Sequence, residues 1–267
     1  MFSLGGFVAV PVVIGAAMNG IPVIIFEPDL HPGLANRISR KFAQVMCTTF
    51  SKSTAFDRIF DGKMTHVGPI VREELKLGSR ARGIGLCGFN EELPILLIMG
   101  GSQGAERINR IVKEALPKLL KSYQVVHICG IGKMDLSIGH YAGYRPFEYV
   151  REELADLMAM ADIIVSRAGS NAIHECLLLR KPMLLIPHAI GGTLTGQTLN
   201  AEYFKDAGYA EVLYESDLTK ETFLKAVDRT YSNQKSFVDA MKVSKMDGAV
   251  DKVLGFIEMA VNESING

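Results

Sequence analysis

The sequence predicts an α/β protein of doubly wound, parallel sheets. From residue 94 onward, short apolar runs alternate with amphipathic stretches. The runs are continuous rather than alternating, as in strands buried on both faces. Strand-to-helix alternation at this spacing is the pattern of a parallel sheet covered by helices.

The elements follow in order. Met1 to Phe26 carry no charge, and Glu27 is the first charged residue. A membrane span needs about 20 apolar residues, which this stretch supplies in length. Gly5-Gly6, Pro11, Gly15, Gly20 and Pro22 interrupt it, and no basic residue precedes it. The reading is therefore a loop over 3–6, a helix near 11–19 and a buried strand over 21–26. Further strands are expected at 45–49 and 65–67. Residues 73–93, rich in charge and glycine, are expected to be a linker between a partial first domain (1–72) and a second domain (94–267). In the second domain, strands are expected at 94–99, 123–129, 162–166, 182–187 and 210–214. Helices are expected near 103–121, 152–160, 171–180, 196–207 and 218–231. A last helix near 249–261 is expected to pack back on the first domain.

Composition removes several function classes. Lys and Arg total 29 and Asp and Glu total 29, which excludes a generally basic nucleic-acid binder. The balance is uneven: residues 1–90 hold ten basic and six acidic side chains, leaving the remainder acidic. Cys47, Cys87, Cys129 and Cys176 show no metal or disulfide spacing and read as buried thiols in a reducing compartment. The six histidines form no metal motif. No metal or cofactor is expected.

In open α/β sheets, ligands sit where strands run into helices at their carboxyl ends. Three such loops stand out. Gly100-Gly101-Ser102-Gln103-Gly104-Ala105 follows an apolar run and opens a helix, so its backbone can approach an anion at the helix N-terminus. It is neither a dinucleotide fingerprint nor a Walker loop. No acid closes the following strand, which disfavours a redox enzyme. In the second loop, 166–175, Ser170 or Asn171 can cap a helix, and Glu175 lies one turn in, placed either for a ribose diol or for the helix dipole. The third, 187–201, brings Gln197 and Asn200 to a helix start; its His188 reads as a loop residue. Three polar loops on one sheet edge suggest a nucleotide or nucleotide-sugar site.

The motifs G-G-F-V at 5–8, P-G-L-A-N-R at 32–37, G-G-S-Q-G-A at 100–105, S-R-A-G-S-N-x-x-x-E at 166–175 and G-Q-T-L-N-A at 196–201 resemble, in order and spacing, those of the MurG family. The resemblance implies a GT-B architecture of two Rossmann-like domains, the N-terminal one incomplete here. It implies an inverting transfer of N-acetylglucosamine from UDP-N-acetylglucosamine to the lipid-linked N-acetylmuramoyl pentapeptide of peptidoglycan synthesis. The expected setting is the cytoplasmic face of the bacterial plasma membrane, on an anionic surface and beside other cell-wall enzymes.

Residue by residue, Ser102 and Gln103 match the donor-phosphate loop, and Val150 the position whose backbone reads the uracil. Ser170, Asn171, Ala172, Ile173, His174 and Glu175 match the donor loop, with Glu175 on the ribose. Gln197 matches a sugar-binding glutamine, with Asn200 beside it, and Arg72 an arginine that reaches the donor. Asp29 stands where many members have Asn, and Glu27 is a weak candidate base. Ala172 replaces a Thr and Phe26 a His. The family's G-G-T-x-G-H loop is absent and would precede Ser3, so the chain reads as a fragment, a split gene or a decayed copy. A UDP-sugar-binding subunit without transfer, or another GT-B transferase or epimerase, stays open as an alternative.

Overall fold

The computed structural model describes residues 1–51, 64–101, 104–135, 141–188, 196–244, 246 and 248–266. The chain divides into two compact units, 1–70 with 245–267 and 71–244.

The first unit carries β1 (Phe2–Ser3), α1 (Ala9–Met18), β2 (Ile24–Glu27), α2 (Leu34–Ser39), β3 (Val45–Thr48) and β4 (Met64–His66). The strands lie in the order β1-β2-β3-β4, each pair parallel. Side chains alternate between faces along a strand. Ile25 and Met46 accordingly pack with Val13 of α1, whereas Ile24, Phe26, Cys47 and Val67 pack with Val253 near the chain's end. Helix α1 is only ten residues long, because Gly5 and Gly6 precede it at positive φ and Gly20 follows it likewise. No described helix is long and apolar enough to cross a membrane.

The second unit begins with a 3-10 turn over Glu73–Leu77 and α3 (Arg80–Cys87). Residues 73–77 and 80–87 are thus helical and packed, which corrects the linker expected over 73–93. Ser79 caps α3 through the Arg82 backbone N–H, and the Arg82 guanidinium donates two hydrogen bonds to Asp156. Gly83 lets the helix approach closely: a side-chain carbon there would stand 2.5 Å from the Asp156 carbonyl oxygen. The charges and glycines that resemble loop composition are contact residues here.

Then follow β5 (Ile95–Met99), α4 (Glu106–Leu119), β6 (Gln124–Ile128), β7 (Tyr144–Phe147), α5 (Leu154–Met160), β8 (Ile163–Ser166), α6 (Ser170–Leu178), β9 (Met183–Leu185), α7 (Gly196–Asp206), β10 (Ala210–Val212), α8 (Lys220–Ser232) and α9 (Gln234–Met241). The sheet is wholly parallel, in the order β10-β9-β8-β5-β6-β7. From β5 the chain winds outward through β6 and β7. It then returns to β8 on the other side, which makes the β5/β8 boundary the topological switch point. Leu96, Ile98, Val125, Ile163, Val165 and Phe223 belong to one continuous core beneath α4 and α8. Full burial of such a side chain contributes roughly 1.5–3 kcal/mol. Strand β7 was not expected. It is an edge strand containing Pro146 and only half-buried, so it lacks the apolar run of a central strand. The last helix, α10 (Ala249–Asn266), belongs to the first unit.

Candidate functional site

At the switch point of the second unit, the carboxyl ends of β5, β6 and β8 open into a cavity of about 430 Å³. Its floor is apolar, from Met99, Ile128, Val150, Leu154 and Ala172. Its polar rim is Gly100, Gly101, Arg72, Glu175 and Gln197.

Two helices point their N-termini toward these strand ends. Ala105 is the N-cap of α4 and Gly169 that of α6, and neither makes a side-chain cap hydrogen bond. The first-turn N–H groups of each helix carry the positive end of its dipole. Gly169 occupies the cap position for which Ser170 and Asn171 were candidates. Helix α6 presents Gly169, Ala172 and Glu175 to the cavity, spaced three apart along one face.

Glu175 is buried and held by Arg72, whose Nε donates to Oε1 at 2.7 Å and Nη2 to Oε2 at 2.9 Å. This fork geometry matches a carboxylate well. Chiefly through the hydrogen bond to Glu175, the Arg72 guanidinium is held above its ordinary pKa. The two residues were read separately from the sequence; 103 positions apart, they share one hydrogen-bonded pair.

Other expected residues divide. Val150 and Gln197 line the cavity, and the Gln197 Oε1 accepts from the His188 backbone N–H at 2.9 Å. Asn200 is fully buried; its amide donates to the Ala168 carbonyl and ties α7 to the second loop. Ile173 and His174 do not reach the cavity. Ile173 is in the core, and the His174 ring packs edge-on against Phe204, its Nδ1 2.7 Å from the Ser170 carbonyl oxygen. Burial pushes the His174 pKa down to about 4, which keeps the ring neutral. Ser102 and Gln103 lie outside the described residues.

Asp29 and Glu27 lie in the first unit. The Glu27 carboxylate is buried and accepts from the Asp29 and Gly33 backbone N–H groups and from the Asn36 amide. Burial raises its pKa. Those bonds make it the clasp of the loop leading to α2.

A part-buried ion pair carries no signature in the sequence. Arg167 donates to Glu215 at 2.7 Å and to the Ile186 carbonyl at 3.1 Å, joining the second loop to the ends of β9 and β10. No local spacing links residues 48 apart, so only the Arg beside the loop glycine hinted at it. Tyr149 and Leu154, which also line the cavity, carry no motif at all. The whole is suited to a ligand with a flat apolar-faced group, a hydroxyl-bearing ring near a carboxylate and an anion between two helix N-termini.

Similarity to known proteins gives the family. The glycosyltransferase family 28 C-terminal domain matches residues 95–253, and the family's N-terminal domain matches residues 1–48. The UDP-N-acetylglucosamine--N-acetylmuramyl-(pentapeptide) pyrophosphoryl-undecaprenol N-acetylglucosamine transferase of Geobacillus thermodenitrificans is 47% identical over 97% of this chain and 72% of its own length. A relative of the same description from Bacillus thuringiensis (strain Al Hakam) is 49% identical over 90% of this chain and 67% of its own length. Among solved structures, Acinetobacter baumannii MurG superposes with a TM-score of 0.70 at 23% identity, covering 97% of this chain and 72% of that one. The two parallel sheets are those of the GT-B glycosyltransferase fold. With two family 28 domains matched and near-half identity across almost its entire length, the chain belongs to the MurG family of glycosyltransferases.

Proposed function

We propose that this chain moves N-acetylglucosamine from UDP-N-acetylglucosamine to the 4-hydroxyl of the N-acetylmuramoyl pentapeptide carried on undecaprenyl diphosphate, with inversion. The observation that carries the reading is the switch-point cavity, where an apolar slot, the Arg72–Glu175 pair and two helix N-termini meet in a chain 47% identical to a transferase of that description.

In this reading, uracil lies in the slot by Val150 and the ribose diol donates to Glu175. The diphosphate sits at the start of α4, with Ser102 and Gln103 as its expected contacts. Gln197 addresses the sugar, with Asn200 bracing the loop behind it. Ser170 and Asn171 supply first-turn N–H groups, and Ala172 supplies apolar wall. Because Glu175 already holds Arg72, the ribose and the guanidinium compete for one carboxylate, and donor binding turns Arg72 toward the phosphates. The bond from the anomeric carbon to the UDP oxygen breaks as the bond to the acceptor oxygen forms. The departing UDP takes the electron pair, helix N–H dipoles and Arg72 stabilise it, and a base takes the hydroxyl proton. Glu27, enclosed by three donors, is placed as structure rather than as that base.

The first unit is assigned the lipid-linked acceptor, with Asp29 on its side, and the surface of an anionic membrane at the cytoplasmic face. Phe7, Val8 and Met18 are 86%, 68% and 81% exposed there, an apolar surface of the kind that marks an interaction site. Incubation with UDP-N-acetylglucosamine and the lipid-linked acceptor tests the reading. One UDP released per disaccharide product supports it. Donor binding without product would leave only a UDP-sugar-binding chain, and absence of both would overturn the reading.

A further inference from the structure

Beneath the glycine loop, on the α4 side of the sheet, runs a polar chain that the proposed chemistry does not use. His127, in the middle of β6, is 2% exposed. Its Nε2 lies 3.0 Å from Asn109 Oδ1 and its Nδ1 3.1 Å from the Tyr144 hydroxyl. The Asn109 Nδ2 donates to the Cys129 carbonyl at 2.9 Å. The Tyr144 hydroxyl also bonds the Cys129 thiol, and the contacts at Asn109 set the His127 tautomer. With its NH₂ spent on a carbonyl, Asn109 presents its oxygen to the ring, so His127 carries its proton on Nε2. Nδ1 is then bare and accepts from Tyr144. Burial holds the imidazole neutral, as this pattern requires.

The chain ends at the base of the loop. The Cys129 carbonyl that Asn109 holds is also the surface on which Gly104 rests. A side-chain carbon at Gly104 would stand 2.2 Å from that oxygen, and Gly104 sits at φ +67°, where L side chains are strained. The Gly100 N–H reaches the neighbouring Ile128 carbonyl, and the Gly104 N–H reaches Gly101. Asn109 itself lies in the first turn of α4, whose N-terminus begins at Ala105. One side chain therefore bonds both to β6, through His127, and to the strand's exit, through Cys129, against which Gly104 packs.

We propose that Asn109 and His127 are positioning residues for the donor's diphosphate: the Tyr144–His127–Asn109 chain sets Gly104 and the N-terminus of α4 at the distance a phosphate needs. The inference rests on the reading above and sharpens it. Neither residue lines the switch-point cavity, so neither is assigned contact with the nucleotide.

The two ends of the ligand separate this role from a general structural one. Uridine engages the Val150 and Glu175 side of the cavity, whereas UDP also needs the α4 end. Asn109→Ala removes both bonds yet places a strong helix former in α4, which favours a folded variant. Affinities of the full chain for uridine and for UDP, by calorimetry, are the readout. Expected for Asn109→Ala is a loss of about tenfold or more for UDP, the scale of one lost hydrogen bond to a charged group, with uridine unchanged within about twofold. His127→Phe, similar in shape but without donors or acceptors, is the second variant and is expected to show the same split. Equal weakening of both ligands, or unchanged UDP affinity in the folded variants, would overturn the positioning role while leaving the proposed function intact. No UDP binding by the unaltered chain would overturn both.

Discussion

The two units handle apolar surface in opposite ways. In 71–244, six parallel strands lie under helices whose apolar faces turn inward, and Phe223 and Phe204 are fully buried. In 1–70 with 245–267, four strands carry a short helix α1, and of its ten residues only Val13 is fully buried. A helix apolar all round ordinarily lies inside a core. Here Val8 and Val12 face outward together with the neighbouring Phe7. Charge composition therefore describes the two units poorly, whereas exposed apolar area separates them: one unit spends its hydrophobic side chains on rigidity, the other keeps some at the surface.

Core truncation gives the largest test of that contrast. Phe223→Ala should destabilise the second unit by about 3–5 kcal/mol, measured by denaturant unfolding. A loss below about 1 kcal/mol would mean that this core is not the rigid platform described.

Acid comes next. His127 and His174 have folded pKa values near 4 against an ordinary 6.5. Between those values the unfolded chain binds more protons. Their contribution is therefore complete above about pH 6.5 and falls as pH drops toward 4, by up to about 1.4 kcal/mol per pH unit for each. In the first unit, burial lowers the pKa of the less buried His66 in the same sense, whereas Glu27 works with the opposite sign. Its folded pKa is raised, so its burial penalty eases as pH falls. Amide hydrogen exchange across this range should show the second unit loosening first. Simultaneous loosening would erase the distinction.

The part of this contrast that was legible in the sequence follows from how strands announce themselves. β5, β8 and β9 are buried on both faces and read as apolar runs, and so does β6 apart from Gln124 and His127. β7 lies at the edge with a proline, and α3 is held by Arg82–Asp156 and Gly83, so each reads locally as loop. The glycine and serine loops of the site were visible because close backbone approach demands those residues. The Arg72–Glu175, Arg167–Glu215 and His127–Asn109 pairs were not, because sequence distance conceals pairs that only the sheet brings together.

Ligand binding sharpens the comparison further. Glu175→Ala should weaken UDP-N-acetylglucosamine binding by about 1.5–3 kcal/mol, since it removes a charged hydrogen-bond acceptor and frees Arg72. Equilibrium titration of the folded variant measures it, and an unaltered affinity would remove Glu175 from the site. The smallest stability effect belongs to the first unit. Phe7→Ser should change unfolding free energy by less than about 0.5 kcal/mol. It should nevertheless reduce co-flotation with vesicles containing anionic lipid. Retained flotation would take Phe7 out of the proposed membrane contact.

The most direct test of the donor site is a titration of UDP-N-acetylglucosamine into the full chain, followed through the resonances of residues around Val150, Glu175 and Gln197. Saturable binding with shifts gathered at those residues, and none around Phe7 and Val8, is the predicted result. Absence of saturable binding, or shifts confined to the first unit, would contradict the assignment of the donor to the second unit's switch-point cavity.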